Sequence, residues 1–99
     1  MTMIRHVVLF SWTAEATDEQ RQRVVTELQK LPPLMTGLRA YHAGPDEGIT
    51  PGNFDFAVVA DFDDADSYRA YRDHPAHRAV IEQVITPIRR ARAAVQFQI

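Results

Sequence analysis

The chain has no cysteine among its 99 residues, which excludes disulfides, thiolate nucleophiles, iron–sulfur clusters and cysteine-ligated zinc together. Any metal would need histidine and carboxylate ligands. Basic charge is also short. Against 13 Asp and Glu stand 11 Lys and Arg, for a formal net charge of -2, so there is no basic field to hold nucleic acid or anionic lipid. No apolar run approaches the ~18 residues of a membrane span, and Met1-Thr-Met-Ile-Arg-His lacks the basic head and apolar core of a secretion signal. The expected location is the cytoplasm. Glycine is scarce, at 4 residues, and none stands in a Walker or dinucleotide-binding loop. What remains is a chain with 45% hydrophobic residues, the composition of one compact domain over residues 1–99. A domain this small buries only about two-thirds of its unfolded surface. Its pocket is therefore small, or a partner chain helps to close it.

Ile4-Arg-His-Val-Val-Leu-Phe-Ser-Trp12 reads as a strand with Ile4, His6, Val8, Phe10 and Trp12 on one face. Val7 and Leu9 make the other face apolar too, so both sides need cover. Thr17-Asp-Glu-Gln20 has capping-box spacing and starts a helix with Val24, Val25, Leu28 and Leu31 inward, stopped by Pro32-Pro33. A second strand is expected over Leu38–Ala43 and a third over Phe54–Phe62, the latter with Phe54, Phe56, Val58, Ala60 and Phe62 on one side. Asp63, Asp64 and Asp66 suit the start of the next helix, which carries Tyr68 and Tyr71. Pro75 opens another helical piece to about Ile85; Arg89, Arg90 and Arg92 beyond it could clasp an anionic ligand or partner but are better read as positive charge suited to a helix C-terminus. Ala93–Ile99 reads as a last strand with Val95, Phe97 and Ile99 inward.

Strand, helix, strand, strand, helix, strand is the ferredoxin-like βαββαβ order: an α+β protomer whose antiparallel four-stranded sheet has helices on one face. The other face would expose Val7, Leu9, Ala57 and Val59. A second copy laid sheet to sheet would bury them, which predicts a homodimer closing an α+β barrel.

Candidate chemistry gathers in Tyr71-Arg-Asp-His-Pro-Ala-His77. On an unbroken helix the side chains of Tyr71 and His77 would diverge by about 240° and 9 Å. The break at Pro75 lets them converge. His6 lies on the helix-facing side of the first strand and points toward the same space. The expected site sets His6, Tyr71 and His77 as its polar groups, of types able to transfer a proton, among Val8, Phe10, Phe54, Phe56 and Val58, the makeup of a small-molecule pocket suited to an apolar ligand. In the competing reading the histidines are satisfied core groups and Tyr68 and Tyr71 pack. The run Asp61, Asp63, Asp64 and Asp66 offers ligands for a hard cation. It lacks the glycine and terminal glutamate of an EF-hand loop and is better read as a helix start. No metal and no cofactor are expected.

Ile4-Arg-His-Val-Val-Leu-Phe, Phe56-Ala-Val-Val-Ala-Asp-Phe62 and Tyr71-Arg-Asp-His-Pro-Ala-His77 together resemble the stress-responsive A/B barrel (Dabb) family over nearly the whole chain. The resemblance implies a ferredoxin-like protomer in a dimeric α+β barrel. It implies little about chemistry, since many members have no assigned activity. One plant member, olivetolic acid cyclase, closes a linear polyketide thioester by an aldol reaction with an early His, a Tyr and the second His of His-Pro-x-His, positions matched here by His6, Tyr71 and His77. Phe56 departs from it, standing where that cyclase has another pocket histidine, which implies a drier pocket. Three functions follow beside ligand binding: a polyketide cyclase or lyase using Tyr71 and His77, a purely structural stress protein, and a cofactor-independent monooxygenase of the same architecture.

Overall fold

β-Branched and aromatic runs pair where both faces of a strand can be covered, and they do so here around β1 (Ile4–Trp12). In the computed structural model, which describes residues 2–99, β1 is followed by α1 (Asp18–Leu28), β2 (Leu38–Pro45), β3 (Phe56–Phe62), α2 (Ala65–Asp73), α3 (Pro75–Val80) and β4 (Arg89–Gln98). The strands form one antiparallel sheet in the order β2-β3-β1-β4. This is the ferredoxin-like α+β arrangement that the element order implies.

Local chemistry explains each helix. Thr17 accepts from the Gln20 amide at 3.1 Å and the Gln20 side chain accepts from the Thr17 amide at 2.9 Å, a complete capping box for α1. Asp64 accepts from the Ser67 amide at 2.8 Å and caps α2. His74 ends α2 with extended backbone, and its Nδ1 accepts from the Ala76 amide at 3.0 Å, capping α3 with Pro75 at its first position. The helix expected over 75–85 gives way after Val80 to a π turn, Ile81–Ile85, in which the Thr86 amide donates to the Ile81 carbonyl. Pro87 supplies the reason, since its ring cannot follow Gln83 in α spacing. Gly37, at φ +80°, stands where a Cβ would lie 2.2 Å from Ser67 Oγ, so glycine lets β2 enter against the start of α2.

The register sets the two faces of the sheet. Toward the helices lie the rows Tyr41–Ala60–His6–Gln96, Ala43–Val58–Val8–Ala94 and Pro45–Phe56–Phe10–Arg92. Val8, Phe10, Phe56, Val58, Ala60 and Phe62 are buried there against Val24, Leu28, Leu31, Tyr71, Val84 and Ile85. Each large side chain so covered contributes about 1.5–3 kcal/mol. Away from the helices lie His42–Val59–Val7–Val95 and Gly44–Ala57–Leu9–Ala93.

Two expectations about the chain end are corrected. The strand starts at Arg89, so Arg89, Arg90 and Arg92 belong to β4 rather than to a helix C-terminus. Val95 and Phe97 pair with Val7 and Arg5 on the open face and are 53% and 44% exposed, and Ile99 is 48% exposed. Apolar alternation marks a side that needs cover, and here that side is turned away from the helices.

Candidate functional site

A cavity of about 260 Å³ lies between the sheet and the helices, near the lower end of the range of roughly 300–1,000 Å³ for ligand sites. β1 supplies His6, Val8 and Phe10, β3 Val58, and α1 Leu28. From α2 come Tyr68, Tyr71 and Arg72, from α3 His77 and Arg78, from the π turn Ile81, Glu82 and Ile85, and from β4 Arg92.

The helix breaks at His74-Pro75. α3 restarts in a new direction, and the His77 and Tyr71 rings approach to 4.2 Å between centroids. His77 Nδ1 lies 3.0 Å from the Arg72 carbonyl oxygen. A carbonyl only accepts, so Nδ1 donates, and in the neutral ring Nε2 is the basic nitrogen. Burial holds the His77 pKa below its ordinary value; the bond to Arg72 opposes this, while Arg92, His74 and Arg78 add to the lowering. His77 is therefore a neutral base at neutral pH.

His6 has the complementary tautomer. With the Gln96 amide nitrogen donating to Nδ1 at 2.8 Å, the proton of the neutral ring sits on Nε2. His6 is 4% exposed, and its pKa is lowered to about 4, by burial first and then by the charges of Arg92 and His77. Its ring lies 5.0 Å from that of Tyr68 and 6.3 Å from that of Tyr71. The Tyr71 hydroxyl is 3.0 Å from that of Tyr41. Burial raises both phenols above the ordinary tyrosine value, Tyr71 the further of the two, so each stays a neutral hydroxyl. One cavity thus holds an imidazole base, an imidazole donor and a phenol.

The structure brings His6, Val8, Phe10, Val58, Tyr71 and His77 to this cavity and leaves Phe54 and Phe56 outside it. Phe54 precedes β3, which begins only at Phe56; at its edge the Asp55 amide donates to the Phe10 carbonyl and the Asp55 carboxylate accepts from the Trp12 amide. Phe56 is on the helix side but two rows from His6, packed 5.8 Å from Trp12 in an aromatic cluster with Phe10. Phe56→His is expected to cost about 1–3 kcal/mol from burying an unpartnered imidazole, without changing what the cavity binds. Thermal unfolding, together with a ligand titration of the same variant, checks both halves.

Spacing missed Tyr41, Arg72, Arg78 and Glu82, read Tyr68 as packing and gave Arg92 to a helix C-terminus. Tyr41 comes to Tyr71 only through the register of β2, and Arg92 reaches the cavity because β4 pairs Arg92 with Phe10. A legible signal existed for Arg92, since the alternation of Ala93, Val95 and Phe97 with polar residues continues back through Ala91. The expected apolar pocket consequently has a charged rim.

The acidic run serves four separate structural ends. Asp61 takes two bonds from Arg5, at 2.7 and 2.9 Å, Asp63 pairs with Arg39, Asp64 caps α2, and Asp66 pairs with Arg69 at 2.8 Å. Among the described residues no three His, Asp or Glu side chains converge on one point, and no helix is long and apolar enough to cross a membrane.

Comparison with known proteins gives three results of different reach. The model of one family, the Stress responsive A/B Barrel Domain (Dabb), matches residues 4–99. An uncharacterised protein of Streptomyces coelicolor is 32% identical over 80 residues, 78% of this chain and 81% of that protein. Among solved structures, a dimeric ferredoxin-like protein of unknown function from Thermobifida fusca is 47% identical, with a TM-score of 0.93 over 99% of this chain and 92% of that one. The hydroxynitrile lyase of Passiflora edulis is 14% identical with a TM-score of 0.84, over 98% of this chain and 93% of its own, a likeness of fold.

Proposed function

Because the chain belongs to the stress-responsive A/B barrel (Dabb) family, we propose that it is a homodimer whose protomers each hold a small ligand between sheet and helices, with His77 and Tyr71 moving a proton on it. The observation that carries this reading is the tautomer of His77. Its Nδ1 is engaged by the Arg72 carbonyl, so the basic Nε2 belongs to a residue that lines the cavity beside Tyr71. A carbon acid next to a carbonyl would give its proton to Nε2, forming imidazolium and enolate. The enolate oxygen would be met by the neutral hydroxyl of Tyr71 or by His6 Nε2–H. The enolate then attacks a second carbonyl in an aldol cyclisation, expels a leaving group in a lyase reaction, or takes the proton back. Fold alone assigns no reaction, although a hydroxynitrile lyase is built on the same scaffold.

Dimerisation is supported by the dimeric relative at 47% identity and by the apolar open face, where Val7, Leu9, Ala57 and Val59 are half-buried and Val95 and Phe97 exposed. Deuterium uptake at the methylene of ethyl acetoacetate, followed by proton NMR in D2O, tests the chemistry. The wild type is expected to exceed the buffer rate, and His77→Gln to lose about a hundredfold of that excess. Tyr71→Phe, which keeps the ring and loses the hydroxyl, is expected to lose part of it. Exchange at the buffer rate with the wild-type protein would leave the histidines a structural role and reject the proposal.

A further inference from the structure

The charges at the rim of the cavity are unequal in their engagement. Arg72 is bound by both oxygens of Asp73, at 2.9 and 3.0 Å, and Arg78 lies 3.5 Å from Glu82. Arg92 has no carboxylate partner among the described residues. It stands on the helix side of β4 opposite Phe10 and lines the cavity with Phe10 and the two histidines. With two arginines answered by acids and both histidines neutral, the lining carries one uncompensated positive charge. An arginine placed this way offers a forked set of donors that fits a carboxylate.

We infer that the cavity takes a small organic monoanion, a carboxylic acid with an apolar body, whose carboxylate is held by Arg92 at the rim while the body lies against Val8, Phe10 and Val58. This deepens the proposed ligand-binding function and rests on it. The same geometry orders the ligand: the charged end is fixed at β4, and the atoms beyond it face His6 and His77. Arg92 is close enough to depress both imidazoles, so a carboxylate that offsets its charge would make His77 a stronger base when the site is filled.

The test uses the intact protein and two probes with the same phenyl body, benzoate and benzyl alcohol, titrated while the His6 and His77 imidazole resonances are followed by NMR. Benzoate is expected to bind about tenfold more tightly than the alcohol, and Arg92→Gln to remove about that factor for benzoate while leaving the alcohol unchanged. Sedimentation velocity on Arg92→Gln checks that assembly is intact. Equal binding of the two probes by the wild type would overturn this inference and leave the ligand-binding proposal standing. So would benzoate binding that survives Arg92→Gln, which would place the anion on Arg72 or Arg78. If neither probe moves a cavity resonance, the ligand-binding proposal fails, and this inference with it.

Discussion

Val59→Asp is expected to convert the proposed dimer to a monomer at micromolar concentration, as read by sedimentation velocity, while the far-ultraviolet circular dichroism of the protomer is retained. Val59 occupies the row His42–Val59–Val7–Val95 on the face turned away from the helices, and it is only half-buried in the protomer. A carboxylate there remains hydrated in the monomer. In a two-fold dimer each copy introduces one, and a desolvated, unpaired carboxylate costs several kcal/mol. A loss of about 3 kcal/mol weakens association roughly a hundredfold. A variant that stays dimeric would remove the open face from the interface and with it the barrel arrangement.

Acidification should weaken the fold through His6. In the unfolded chain this imidazole titrates near its ordinary value of 6.5, and in the folded protein near 4. Between those values the unfolded state binds more protons, so stability falls as pH falls. The contribution is complete above about pH 6.5, is lost progressively down to about pH 4, and amounts to about 3 kcal/mol across the window. His77, lowered for the same first reason, adds in the same direction. Asp61, Asp64 and Asp73 have pKa values held below the ordinary carboxylate value by their hydrogen bonds, so their losses come at still lower pH. Urea unfolding across this range should show the slope in the wild type and a shallower one in His6→Gln, which keeps a polar side chain beside Gln96 without titrating. An unchanged slope in the variant would mean that His6 is not the group being protonated.

How much of this was legible depends on the range over which each signal acts. The capping box at Thr17 and the Asp64 cap are local bonds between residues three apart, and they form as the spacing implies. The redirection at Pro75 is local as well, and it carried His77 back to Tyr71. Phe56 shows where such reading stops. Alternation assigns it to the helix side of β3, as observed, but a face is wider than one cavity. Only the pairing of Phe56 with Phe10, two positions along β1 from Val8, puts it among Trp12 and Phe10 rather than beside the histidines.

By itself the sequence determined the α+β order, the helix starts, the break before His77 and the presence of an apolar second face, because each follows from hydrogen bonds or periodicities spanning a few residues. Tertiary structure decided which face of β4 carries Val95 and Phe97, that Tyr41 meets Tyr71, and that Arg92 stands at the rim with no acid to answer it. Those facts depend on antiparallel register between segments up to about ninety residues apart, as in the bond from Gln96 to His6. A shift of one residue there would exchange the two faces of the strand, and no local periodicity specifies it.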